Sequence, residues 1–195
     1  MLGSWDVKVV VNSLPQKVAT AVGNLSEQLI GAEYTPIAYL GSQVVNGINH
    51  AVLAEQLVTT GKDTKNVVVL IFNEKGMDCT LVNIERVVDG GPVIGGTVVD
   101  VKTDIPEEAM DVFKAGMEGY VGCNYKPFAL LATKMTKGMN YVFAVELEGI
   151  TPNPVNQVAL VTINAMTKSV GFTDLLETKQ DLSLGYAFTW LRKDW

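Results

Sequence analysis

Apolar residues along this chain change their spacing at regular intervals, and each change marks an element. Val18, Val22, Leu25 and Leu29 recur at three- and four-residue steps, as do Ala109, Phe113, Met117 and Tyr120. Such spacing lays each set along one stripe of a helix, predicted near 14–30 and 105–121. Ser13 with Gln16, and Asp104 with Glu107, bracket a proline in the manner of a capping box. Gly31 and Gly122 follow where a helix end takes a left-handed residue. Beyond each helix the apolar runs shorten and are broken by turn residues, which predicts strands at 36–44, 48–59, 66–73 and 79–88. The later set is 127–135, 139–149, 157–164 and 169–177. Strands at 7–11 and 98–102 precede the helices, and 186–193 reads as a closing strand. Asn46 with Gly47 is a hairpin signal, and Asn73 through Gly76 is a second turn.

The two sets are the same pattern shifted by 91 residues. Pro15 and Pro106, Gly31 and Gly122, Tyr34 and Tyr125, Pro36 and Pro127, Gly47 and Gly138, Asn49 and Asn140, and Asn73 and Asn164 are identical pairs at that offset. Glycines, prolines and helix-end residues dominate, which are the residues that fix backbone shape. This predicts a tandem duplication. Its copies are 1–91 and 92–195, joined at Asp89, Gly90, Gly91 and Pro92. Each copy reads as an α+β unit: one helix on a four- to five-stranded antiparallel sheet.

Composition narrows the function. Hydrophobic residues make up 48% of the 195 and the mean hydropathy is +0.22. An apolar surplus of that kind predicts a buried interface between copies or subunits. A net charge of −6 and a pI near 4.8 argue against a nucleic-acid partner. No apolar run approaches the ~18 residues of a membrane span, and the first residues do not read as a signal peptide. Cys79 and Cys123 occupy unrelated places in the two copies, so no disulfide framework or metal site is expected. Two free thiols suit the cytoplasm or another reducing compartment.

Chemistry is sparse. His50 is the single histidine, so no Ser/His/Asp or Cys/His arrangement has a basis. Its counterpart at the offset is Tyr141, so His50 reads as an amphipathic filler on a strand. Glu55 and Glu146 match across copies and read as solvent-facing carboxylates. No glycine-rich phosphate loop opens a helix. The chain reads as a non-enzyme without a cofactor.

One stretch carries a resemblance. Gln43, Val44, Val45, Asn46 and Gly47 follow the first helix at the predicted hairpin, with Asn49 and His50 after them. Gly3, Ser4 and Trp5 stand ahead of the helix. This order resembles the cystatin and stefin family, whose Gln-x-Val-x-Gly loop and glycine-bearing N-terminal trunk it matches in copy one. The resemblance implies two tandem cystatin-like units, and reversible, tight-binding inhibition of papain-like cysteine proteases. In that family the trunk and two hairpin tips form a wedge that fills the protease cleft. Here the implied contacts are Gly3, Ser4, Trp5, Gln43, Val44, Val45, Asn46, Gly47, Gly76 and Met77. Two departures stand against it. The second hairpin reads Asn73, Glu74, Lys75, Gly76, Met77, polar where the family has an apolar tip. Copy two keeps Gly138 but carries Lys134, Met135, Thr136 and Lys137 in place of the motif.

Two readings of individual residues stay open in the sequence. Gly47 serves a turn alone or a turn and a protease contact, and Trp5 is a plug or a cover for the sheet edge. The rival function is a non-catalytic structural or assembly module, either a homo-oligomer or part of a larger assembly, which the high hydropathy and the altered second motif favour.

Overall fold

The computed structural model describes residues 3–59, 61, 63–91, 96–150 and 154–176. Its elements run β1 (Trp5–Val11), α1 (Gln16–Gln28), β2 (Ala32–Val45), β3 (Gly47–Val58), β4 (Thr64–Lys75), β5 (Asp78–Val88), β6 (Thr97–Lys102), α2 (Glu107–Met117), β7 (Cys123–Thr136), β8 (Gly138–Gly149), β9 (Asn156–Asn164) and β10 (Val170–Asp174). Strands β1 to β5 form one antiparallel sheet in chain order, and β6 to β10 form a second. The predicted strand at 186–193, residue 177 of another, and the linker proline Pro92 lie outside the described residues.

Continuous apolar runs explain the packing. In β3, Ala51 and Leu53 join a central core, while Val52 and Ala54 face α1. In β4, Val67 and Val69 point to the centre, and Val68 and Leu70 point to α1. Both faces of these strands are therefore buried, which demands apolar side chains at every position rather than alternation. The central core draws on both sheets: Leu40, Leu53 and Val69 pack in one cluster with Leu131, Ala144 and Leu160. Smaller clusters lie under α1 (Val18, Val22, Leu25 with Phe72) and under α2 (Ala109, Phe113, Met117 with Phe143).

This overturns the fold class expected from the sequence. The described residues are mostly β, 61% strand against 13% helix, in two five-stranded antiparallel sheets and two helices. It is not two tandem cystatin-like units, each a helix on its own sheet. The physical reason is the sheet face away from each helix, which a separate unit would leave in water. Here it carries Leu40, Leu53, Val67 and Val69, all 0 to 1% exposed, and is sealed by the other sheet. Part of the apolar surplus is thus buried between the two sheets.

Smaller corrections concern element ends. The helices are shorter than 14–30 and 105–121. Pro15 and Pro106 hold the N-cap positions with no side-chain cap, so the expected capping boxes do not form. Gly31 and Gly122 take positive φ (91° and 104°), but they lead into strands rather than close the helices. The pairing of β2 with β3 slips between Pro36 and Ala38 and between Tyr39 and Gly41. That of β7 with β8 slips at the same places 91 residues on, between Pro127 and Ala129 and between Leu130 and Ala132. Bulges bend strands locally, so both sheets share the same bends.

Candidate functional site

Antiparallel order brings three segments to one end of the first sheet: the start of β1, the β2–β3 hairpin and the β4–β5 hairpin. The hairpin tips are two strand spacings apart, roughly 10 Å. The trunk is fastened beside the first of them. Gly3 donates its backbone N–H to the Val44 carbonyl at 3.2 Å, and Gln43 Nε2 donates to the Gly3 carbonyl at 2.8 Å. Gly3, Ser4, Gln43 to Gly47, Gly76 and Met77 therefore lie at one sheet end. Val44 (53% exposed), Val45 (41%), Ile48 (39%) and Met77 (91%) give that end an apolar surface. Ile48, which the sequence reading passed over, stands opposite Val44 in the register. Trp5 is different: its side chain packs against the central core, so it covers the sheet rather than standing free as a plug.

Gly47 is required by the fold. Its φ is 106°, and a Cβ there would sit 2.6 Å from the Glu74 backbone oxygen and 3.0 Å from Asn73 Oδ1. Gly138 repeats this with φ 98° and a Cβ site 3.0 Å from Asn164 Oδ1. Each hairpin thus crosses tightly over an asparagine of the neighbouring strand, which is why the glycine and the asparagine recur together 91 residues on.

The second hairpin is tied to the helix. Lys17 Nζ donates to Glu74 Oε1 at 2.6 Å and to the Gly76 carbonyl at 2.9 Å. His50 Nε2 lies 3.2 Å from Glu74 Oε2, and its Nδ1 lies 2.9 Å from the Tyr39 hydroxyl. With the proton on Nε2, His50 donates to Glu74 and accepts from Tyr39. Far from filling space, it is a buried brace. In the second sheet the counterpart Tyr141 reaches Glu108 on α2 directly, at 3.2 Å.

The Lys17 hydrogen bond holds the Glu74 carboxyl below its ordinary range, while burial raises the Tyr39 hydroxyl. A lowered carboxyl contributes stability above its unfolded pKa, and that stability is lost as pH falls through the folded value. Lys17→Met should therefore weaken the protein at neutral pH and shrink this loss on acidification. Denaturant titrations at pH 7 and pH 3 would show it; an unchanged difference between the two would refute the tether.

Among the described residues no group of three or more His, Cys, Asp or Glu could hold a metal ion. Every buried side-chain polar atom described has a partner. Cys79 and Cys123 are free, and burial raises both thiols. Glu55 pairs with Lys65 at 2.9 Å, whereas burial raises the carboxyl of Glu146. No described helix is long and apolar enough to cross a membrane. Comparison of the chain with protein-family models, with curated proteins and with solved structures gave no match.

Proposed function

We propose that the protein is a non-catalytic binding protein that inserts this end of its first sheet into a cleft. The occupant's host is a papain-like cysteine protease, which it inhibits reversibly. The observation that carries this reading is the fastening of Gly3 to Val44 and Gln43, which sets the trunk beside a hairpin with exposed Val44 and Val45. An apolar edge whose trunk backbone is already fastened suits a cleft because less backbone freedom remains to be lost on docking. The likeness of Gln43, Val45 and Gly47 to the cystatin loop names the protease class. It is a likeness of local sequence and does not extend to the fold.

The second sheet's hairpin is a poor plug. Lys134 and Lys137 are exposed there, and a lysine enters an apolar cleft only at a cost of several kcal/mol unless it is paired. Part of the apolar surplus that favours the assembly reading lies between the two sheets. Steady-state inhibition of papain tests the proposal. Reversible inhibition is expected, and its absence at micromolar protein would reject the protease as host.

A further inference from the structure

The geometry points to Gln43, Asn49 and Asn73 as a relay of positioning residues that orders the N-terminal trunk for docking. The three stand in one cross-strand row, Gln43 opposite Asn49 and Asn49 opposite Asn73, with Trp5 opposite Gln43 at the trunk side. Their amides point the same way. Asn73 Nδ2 donates to Asn49 Oδ1 at 2.8 Å, Asn49 Nδ2 donates to Gln43 Oε1 at 3.0 Å, and Gln43 Nε2 donates to the Gly3 carbonyl at 2.8 Å. Amides aligned head to tail polarise one another, so the last link is strengthened by the ones behind it. Each amide also has its orientation fixed by the next, which leaves Gln43 one useful direction, towards Gly3.

The second sheet shows which part of the row is architecture. There Asn164 Nδ2 donates to Asn140 Oδ1 at 2.6 Å and to the Lys137 carbonyl at 3.2 Å. Asn164 Oδ1 accepts the N–H groups of Met166 and Thr167. The asparagine pair therefore recurs and shapes the hairpins. The third amide does not: Lys134 stands opposite Asn140 where Gln43 stands opposite Asn49. A fold that needs only the pair in one sheet has extended it to the trunk in the other. In this light Gln43 acts from behind the docking edge, and Val44 and Val45 are the surface.

The benefit to docking rests on the proposed function; the ordering of the trunk rests on geometry alone, and two readouts keep them apart. The first is hydrogen exchange at the Gly3 amide of the full chain without partner. Gln43→Glu keeps an acceptor for Asn49 but removes the donor to Gly3, and Asn73→Ala removes the first link. Both should speed Gly3 exchange roughly fivefold or more, as loss of one ordinary hydrogen bond implies. The amides of Leu53 and Val69, in the central core, should keep their protection. Unchanged Gly3 exchange, or an equal rise at Leu53, would overturn the relay. The second readout is papain affinity, which should fall in step with lost Gly3 protection. Full affinity with an unprotected Gly3 would overturn the role in docking. Should the wild-type protein ignore papain, the protease reading fails while Gly3 exchange still decides the relay.

Discussion

Leu53→Asp should unfold the whole chain and not only the half that contains it. Leu53 is 0% exposed and lies in the core shared by both sheets, with Leu131, Ala144 and Leu160 in the same cluster. Removing its side chain alone would cost about 2–5 kcal/mol. Burying an unpaired carboxylate adds several more, unless the group takes up a proton or the structure opens. Total stability for a protein of this kind is on the order of 5–15 kcal/mol, so the variant should be largely unfolded. Circular dichroism would register the loss across both sheets at once. If roughly half of the strand signal survived with a cooperative transition of its own, the shared core would not couple the halves. The folded state would then divide near residue 91.

Gly47→Arg carries the next largest effect, and it acts first on stability. The new Cβ would meet the Glu74 carbonyl at 2.6 Å in a backbone conformation that L residues rarely adopt. Two mechanisms add here, strain at positive φ and a collision with backbone that cannot swing away, so a loss of roughly 2–4 kcal/mol is expected. Gly76→Ala is the control. Its φ is 62° but nothing lies near its Cβ site, so only the conformational cost of about 1 kcal/mol should appear. Denaturant midpoints of the two variants should therefore separate clearly. Equal midpoints would mean that β4 gives way to the hairpin and that Gly47 is merely a turn residue. The sequence alone had left Gly47 between a turn and a contact. The crossing over Asn73 makes the turn demanding enough to explain the glycine without a partner.

The reason some features were legible and others were not lies in the range of the interactions. Helix positions followed from Val18, Val22 and Leu25, because a stripe is a local property of the chain. Both hairpins followed from glycine, because positive φ is local too. What faced the far side of each sheet was not local. Ala51, Val52, Leu53 and Ala54 form an unbroken apolar run, and a run of that kind already says that both strand faces are buried. Taken as a strand on one helix, it left the face that carries Leu53 unassigned, although the apolar surplus already pointed to a buried interface between copies or subunits. The amide row was hidden for a related reason. Gln43, Asn49 and Asn73 are 6 and 24 residues apart in the chain, and only the register brings them into line. Asn49 and Asn73 did recur at the 91-residue offset, which was the available signal. His50 carried no such mark, since its counterpart Tyr141 braces a helix by a different route.

The decisive measurement is calorimetric titration of papain with the full chain and two of its variants. The wild-type protein should bind one papain per chain, because the first sheet's edge is apolar and fastened while the second sheet's hairpin carries exposed Lys134 and Lys137. Lys134→Ala with Lys137→Ala should leave affinity and stoichiometry unchanged. Gln43→Lys with Val45→Lys should abolish binding, since the first replaces the amide that links Asn49 to Gly3 and the second puts an unpaired lysine at the docking edge, which costs several kcal/mol on losing water. No binding heat from the wild-type protein at micromolar concentration, or equal affinity in the Gln43→Lys, Val45→Lys variant, would contradict a protease-plugging edge at residues 3–4, 44–47 and 76–77.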